Sequence, residues 1–280
     1  MSSVAFARWL PTYLRRFGVL GGMGLWFRSA MLEASEDTEA RSLRVPGFAR
    51  PAWLRPAAKD LAIFQQVFVK REYDMAEAVQ YRHIQDTYRD MLRRGERPLI
   101  IDCGAHVGFS ALWFRRAFPE ALIFAVEPNP ANAAVFRRNL DGEAGVTLFE
   151  GGIWNKPGRL RLTDAAAGMA GRRAVPANDA GQDDVTAITI EEILEQTGSA
   201  GALIVKVDIE GGEQALFDGE TPWLDRVGML VIELHDWLYP WQGSSDGFFA
   251  QVGRRRFDRL FRGENMFCFR RPRMDGEGAP

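Results

Sequence analysis

Between Pro98 and Ala117 an apolar run, a glycine-bearing turn and an amphipathic stretch follow one another without a break. Pro98-Leu99-Ile100-Ile101 has the character of a short strand buried on both faces. Asp102-Cys103-Gly104-Ala105-His106-Val107-Gly108 then turns the chain, and Phe109, Leu112, Trp113 and Ala117 recur at helical spacing. Strand, glycine turn and helix open the open α/β sheets that take nucleotide-like ligands at the carboxyl ends of their strands. The spacing narrows the choice. Two glycines stand four apart with an acid two residues before the first, so the dinucleotide pattern G-x-G-x-x-G is absent.

D-x-G-x-x-x-G after a strand is the arrangement of proteins that bind S-adenosylmethionine. Gly104 lets the chain turn sharply and approach a ligand without a Cβ. Gly108 lets the helix start pack tightly under the turn. Asp102, at the end of the strand, is placed to hold the ammonium of a methionine moiety, with Ala105 beside it in the turn. A cationic sulfonium needs no phosphate cradle, which fits the missing middle glycine. A second apolar run, Ala121 to Val126, ends in Glu127-Pro128-Asn129-Pro130. Glu127 lies 19 residues beyond Gly108, the separation one helix and one strand require, and an acid there can accept from ribose hydroxyls.

The 280 residues are long enough to bury a substantial core, and 46% hydrophobic with 26% charged residues is ordinary for a globular protein. A net charge of −2 gives no case for nucleic-acid binding, and the Arg254-Arg255-Arg256 run reads as a solvated face. Two cysteines, Cys103 and Cys268, make neither a disulfide framework nor a metal cluster, which points to a reducing, cytoplasmic setting.

Residues 1–59 read as an N-terminal extension and 60–280 as the catalytic domain. The extension carries nine Arg and Lys against four acids. Its apolar stretch from Phe17 to Phe27 closes at Arg28 after 11 residues, too short for a membrane-spanning helix, and contains four glycines that weaken a helix. A cap docked on the catalytic domain is the preferred reading. The alternative use of residues 1–30 is contact with a membrane surface or a lipid-linked substrate. Arg41 to Lys59, with three prolines, reads as an irregular connection.

Further along, Leu61 to Val69 reads as a strand or hairpin, and Tyr81 to Arg94 as a helix. Val146 to Phe149, Leu203 to Val207 and Met229 to Leu234 read as strands. Arg159–Leu162 and Val185–Ile190 form an added hairpin, with Thr163 to Asp184 between them as a mobile, substrate-selecting loop. Phe257–Phe261 and Met266–Phe269 form an antiparallel hairpin at the sheet edge. The expected fold is therefore α/β, a mostly parallel Rossmann-like sheet with an antiparallel C-terminal hairpin and an N-terminal extension.

The fourth strand of this sheet runs into Lys206-Val207-Asp208-Ile209-Glu210-Gly211-Gly212-Glu213. Strand alternation places Lys206, Asp208 and Glu210 on one side. A carboxylate there can take a proton from a hydroxyl, and a neighbouring ammonium can steady the resulting charge. The next strand delivers Glu233-Leu234-His235-Asp236-Trp237 to the same edge, and His235 is a second candidate base because imidazole titrates near neutrality. Asp208, Glu233 and Asp236 are hard oxygen donors for a divalent ion, but their spacing does not call for one, and no metal ligand is assigned.

Four blocks in order now resemble the FkbM family of S-adenosylmethionine-dependent methyltransferases. They are IIDCGAHVGFSALWF (100–114), IFAVEPNPANAAVFRRNL (123–140), LIVKVDIEGGEQALFDG (203–219) and LDRVGMLVIELHDW (224–237), with VFVKREYDMAEAVQY (67–81) resembling the segment ahead of them. The resemblance implies a class I methyltransferase sheet. It implies cofactor roles for Asp102, Gly104, Gly108 and Glu127, and site roles for Lys206, Asp208 and Glu210. It also implies methyl transfer, mostly to hydroxyls of sugars or secondary metabolites, with a small molecule or glycan rather than nucleic acid as partner.

Two departures stand out. His106 occupies a position where the family often has Asn. Gly151-Gly152-Ile153-Trp154-Asn155 replaces the usual Ala-containing segment after the third strand, where Trp154 is the candidate to stack on adenine. An oxidoreductase or a non-catalytic module of the same fold is the competing expectation. The missing G-x-G-x-x-G speaks against the first, and the intact Lys206-Asp208-Glu210 cluster against the second. Nothing in the sequence fixes the oligomeric state or the acceptor.

Overall fold

The computed structural model describes residues 7–272 apart from 59, 165–171, 178–180 and 182–183. The chain opens with α1 (Leu10–Glu33), which is helical in spite of its glycines but broken at Gly18, whose φ of 72° and ψ of 175° are not helical. After the break the chain folds back. A Cβ on Gly22 would stand 2.6 Å from the Tyr13 carbonyl oxygen, a contact that two residues nine apart on one straight helix cannot make. Tyr13 and Leu25 are buried in the same apolar cluster as Ile100, Phe109 and Phe114, so the first segment packs on the rest.

The stretch read as irregular contains a small antiparallel ladder, β1 (Arg41–Arg44) with β2 (Pro51–Leu54). Asn139 fixes it in place. Its Nδ2 donates to the carbonyls of Trp53 (2.9 Å) and Val107 (2.7 Å), and its Oδ1 accepts from the Trp53 N–H (2.7 Å). The expected strand over Leu61 to Val69 is instead helical: α2 (Asp60–Phe64) runs into one wide turn over Gln65–Val69. A short apolar run does not distinguish strand from buried helix. The deciding contacts are tertiary, with Phe64 and Phe68 at helical spacing packing edge-on against Phe109. The helix expected near Tyr81 follows as α3 (Val79–Arg93).

The main sheet is built from β3 (Leu99–Cys103), β4 (Leu122–Val126) and β5 (Val146–Phe149), with α4 (Phe109–Ala117) and α5 (Pro130–Asn139) as crossovers. The chain then makes a separate four-stranded sheet from β6 (Gly152–Ile153), β7 (Gly158–Asp164), β8 (Arg172–Pro176) and β9 (Asp184–Ile188). Part of the segment expected as a mobile loop is thus the β7–β8 hairpin, Asp184 opens β9, and residues 165–171, 178–180 and 182–183 of it lie outside the described residues.

Helix α6 (Ile190–Thr197) starts with a capping box between Thr189 and Glu192 and returns the chain to β10 (Ala202–Val207). A short helix α7 (Glu213–Leu216), strand β11 (Val227–Glu233), helix α8 (Asp246–Gly253) and the hairpin β12 (Phe257–Arg262) and β13 (Asn265–Arg270) complete the chain.

The main sheet has the order β12-β13-β11-β10-β3-β4-β5. The five strands β11, β10, β3, β4 and β5 are parallel, with β5 at one edge, and β13 and β12 extend the other edge antiparallel, as the terminal hairpin predicts. Apolar layers cover both faces, one through Ile100, Ile204 and Met229, the other through Ile101, Val205 and Leu230. The order runs outward in both directions from the β3–β10 boundary, so the crevice for a ligand opens at the carboxyl ends of those two strands.

Candidate active site

Register places Asp102 of β3 directly beside Lys206 of β10. Both side chains emerge on the same face of the parallel pair, and both are almost wholly buried. The Lys206 ammonium lies 3.2 Å from Asp102 Oδ1, donates to the Gly104 carbonyl at 2.9 Å and stands 3.6 Å from Asp208 Oδ2. Asp102 Oδ2 accepts from the Ser110 hydroxyl at 2.5 Å. Burial alone would lower the Lys206 pKa, but Asp102, Tyr73 and Asp208 outweigh it and hold the ammonium charged. Asp102 is expected to meet a ligand; its carboxylate is instead turned to Lys206 and Ser110. Lys206 in turn is a strut between the glycine turn and the strand that carries Asp208.

The glycines answer to the same neighbours. Gly104 has φ 79°, and a Cβ there would sit 1.8 Å from the Asp208 carbonyl oxygen, so the residue is demanded by the close approach of the two strand ends. Gly108 has φ 87°, and a Cβ would strike Leu140 and Phe136 at 2.7 and 2.8 Å, which is the tight helix-start packing the sequence implies. Ala105 is buried and bonds through its N–H to the Val126 carbonyl at 3.0 Å. His106 adopts φ 49°, a left-handed conformation that Asn, Asp and His tolerate better than most residues.

Glu127 receives the His106 N–H on Oε2 at 2.8 Å, and the Asn129 N–H and Asn132 Nδ2 on Oε1 at 2.9 and 3.0 Å. Burial raises its pKa and these donors oppose the rise. A carboxylate offers about four acceptor positions, so one on Oε2 remains for a further donor such as a ribose hydroxyl. The backbone turn and the open acceptor position on Glu127 suit the ribose of a nucleoside. Asp60 and Arg55, tied to each other at 2.9 Å, border this side, with Arg55 on Asn132 at 2.7 Å and Asp60 3.7 Å from His106 Nε2. Burial lowers the His106 pKa to about 4, with Asp60 opposing.

Trp154, expected at the adenine, has its ring buried with Leu160 and Ala187 beside a cavity of about 590 Å³ that it lines together with Ala215, Phe217 and Gly247.

On the other side of the β3–β10 boundary Asp208 is partly open, with its side chain 31% exposed. His235 is 4% exposed, with Nδ1 2.9 Å from Glu213 Oε1 and Nε2 3.6 Å from Glu233 Oε1 and 3.8 Å from Asp208 Oδ1. Burial alone would lower the His235 pKa, but Glu213, Asp208 and Glu233 raise it to about 9. These carboxylates favour the protonated imidazole. Burial and the nearby Asp208 push the Glu233 carboxyl up to about 8.

Glu210 departs from the expected strand alternation. Its φ is 52°, the strand has ended at Val207, and the gathered group is Asp208, Glu233 and His235 without it. Gly211 follows at φ 97°, where a Cβ would enter the Tyr239 ring at 2.2 Å. Asp236 also turns away, accepting from Ser244 Oγ at 2.8 Å and the Ser245 N–H at 3.2 Å. Glu233 is named from the sequence only as an oxygen donor for a divalent ion, and Glu213 and Tyr73 are not singled out there at all. Glu213 is buried and holds the loop by accepting the Ile209 N–H at 3.0 Å and the Gly211 N–H at 2.7 Å. Its signal is an acid three residues after an E-G step. Tyr73 is buried among the charges of Lys206, Asp208, Asp102 and Glu233, and burial raises its pKa well above the usual range.

The family model described as the methyltransferase FkbM domain matches residues 102–260, more than half of the chain. The chain is similar to Methyltransferase 1 of Beauveria bassiana, 26% identical over 190 residues, covering 65% of this chain and 66% of that one. It is also similar to hexuronic acid methyltransferase AglP of Haloferax volcanii, 26% identical over 158 residues, covering 56% and 64%. The matches thus span at most 66% of these relatives' own length. Among solved structures it is similar to the S-adenosylhomocysteine-bound methyltransferase PaMTH1 of Podospora anserina, with a TM-score of 0.37 and 16% identity over 67% of this chain and 77% of that one. The chain belongs to the FkbM methyltransferase family, with the α/β sheet of class I methyltransferases and S-adenosylmethionine as its cofactor.

Proposed function

We propose that the protein transfers the methyl group of S-adenosylmethionine to a hydroxyl of a sugar, glycolipid or secondary metabolite. The observation that carries this reading is the position of Asp208. It is the open carboxylate at the crevice, one strand from the glycine turn, with Lys206 at 3.6 Å behind one oxygen and His235 at 3.8 Å from the other. When bound, the cofactor supplies an electrophilic methyl on a sulfonium. Transfer is then mostly a matter of positioning, plus removal of a proton from a weakly acidic hydroxyl.

Asp208 takes that proton. Lys206 and the His235 imidazolium keep its carboxylate oriented and lower the cost of charge on the acceptor oxygen. The AglP relative, named as a hexuronic acid methyltransferase, supports a sugar-like acceptor. The test is Asp208→Asn. Methyl transfer should be lost while calorimetry still registers S-adenosylhomocysteine at near wild-type affinity. A fully active variant removes Asp208 from the role.

Residues 1–30 support a second contact. Val19, Leu20, Met23, Phe27 and Met31 are exposed on the outer side of α1, with Arg15, Arg16 and Arg28 interspersed, while Tyr13 and Leu25 face the core. No described helix is long and apolar enough to cross a membrane. An apolar face flanked by arginines suits an interfacial position on an anionic bilayer, close to a lipid-linked acceptor. Flotation with anionic vesicles should carry the protein, and Leu20→Glu with Phe27→Glu should leave it in solution.

A further inference from the structure

The three atoms His235 Nε2, Asp208 Oδ1 and Glu233 Oε1 point at one another without bonding. The two distances from Nε2, 3.6 and 3.8 Å, exceed a hydrogen bond, and one donor atom from each residue lies within 4.8 Å of the others. Three features turn this gap into a built site. The imidazole is fixed: Glu213 takes its Nδ1 at 2.9 Å, and Glu213 is itself buried and held by two backbone N–H groups, so Nε2 is presented to the gap. A carboxylate behind a histidine in this way is the usual outer support of a metal-ligating imidazole. The charge is also unbalanced. Asp208, Glu233 and Glu213 surround one imidazole, while the nearby Lys206 is already matched by Asp102 and touches Asp208 through Oδ2, leaving Oδ1 for the gap. Finally, Asp208 is partly exposed, so an ion has a way in.

We propose that Asp208, Glu233 and His235 bind a divalent cation, the protons on His235 Nε2 and on the Glu233 carboxyl being released to solvent as the ion enters, with Glu213 as the positioning residue for His235. Two carboxylates and one imidazole suit a cation of intermediate hardness such as Mn²⁺. Three protein ligands leave part of its coordination shell open, and two adjacent oxygens of an acceptor, as in a vicinal diol or a hydroxy acid, fit those positions; this last step rests on the methyl-transfer reading. The site differs from the trio legible in the sequence, because Asp236 is engaged by Ser244 and Ser245 and His235 takes its place.

The test uses the full chain stripped with chelator and titrated with MnCl₂, following the free Mn²⁺ signal by electron paramagnetic resonance. Wild-type protein should bind one Mn²⁺. His235→Gln and Glu233→Gln should abolish that site, and Glu213→Gln should weaken it about 10- to 100-fold. Circular dichroism and S-adenosylhomocysteine calorimetry on each variant establish that the fold persists. Should Glu213→Gln unfold, His235→Gln carries the test. Folded wild-type protein that leaves Mn²⁺ free at millimolar concentration, or variants that bind it as tightly, overturns the proposal. The two readings fail separately. S-adenosylhomocysteine binding without Mn²⁺ binding removes the metal site alone, and Mn²⁺ binding without S-adenosylhomocysteine binding removes the methyl-transfer reading alone.

Discussion

The two sides of the β3–β10 boundary are built on opposite terms. On the cofactor side the charges are buried and matched. Asp102 has Lys206 and Ser110, Glu127 has three N–H donors, and Arg55 and Asp60 have each other. On the acceptor side Asp208, Glu233 and Glu213 converge on one imidazole, and two of the resulting pKa values move far from their ordinary ranges. Matched charges specify a structure, whereas crowded like charges at a strand edge are costly to hold and mark the place where chemistry happens. On the proposed reading the first side is a scaffold that also binds cofactor, and the second holds the reactive group that the scaffold tolerates.

Stability measurements can break this contrast. The largest loss should come from Lys206→Met, which strands the Asp102 carboxylate in the sheet and should cost about 3–5 kcal/mol by urea unfolding. A loss under about 1 kcal/mol would show that the pair is not structural. Gly108→Ala should cost less, about 1–3 kcal/mol, by crowding Leu140 and Phe136 and straining a positive φ.

The two histidines should then give the chelated protein opposite pH flanks. The His106 pKa is depressed to about 4 chiefly by burial, so the unfolded chain binds more protons below 6.5 and stability falls as pH drops from 6.5 towards 4. The His235 pKa, raised to about 9 by its carboxylates against burial, gives stability present below 6.5 and lost as pH rises through 9. Thermal unfolding against pH should thus be a dome. His106→Asn should flatten only the acid flank and His235→Gln only the alkaline one; exchange of the two assignments, or no change in either, would contradict them. The smallest stability effect belongs to Asp208→Asn, within about 1 kcal/mol because the side chain is partly solvated, although turnover should fall about 10²- to 10⁴-fold.

Much of the sheet was legible because its signals are local. The runs at Leu99, Leu122, Val146, Ala202 and Val227 are short, apolar and punctuated by Gly, Pro or Asp, and all five are strands. The Leu61–Val69 run has the same composition but carries no punctuation of its own, and Phe109 on a later helix decided it. The site divides in the same way. Gly104 and Gly108 could be named from spacing, because a turn at a strand end needs those residue types in that order, and Asp208 from strand alternation at the end of β10. Trp154 could not be placed, since which of two sheets its ring would pack under depends on β9 and α7. The partner of Asp102 was equally hidden, 104 positions away on β10, and appears only once β10 lies against β3.

What the sequence alone determined is the parallel sheet, the glycine turn with its cofactor, and the acid at the end of β4. Each follows from residue types over fewer than about twenty neighbouring positions. Only the tertiary structure decided which charges are consumed as scaffold and which stay available. Whether a carboxylate is matched or left reactive depends on side chains brought beside it from distant strands. Register put Lys206 next to Asp102, while the turn through Glu210 and Gly211 brought Glu213 behind His235 and left Asp208 and Glu233 facing its free nitrogen.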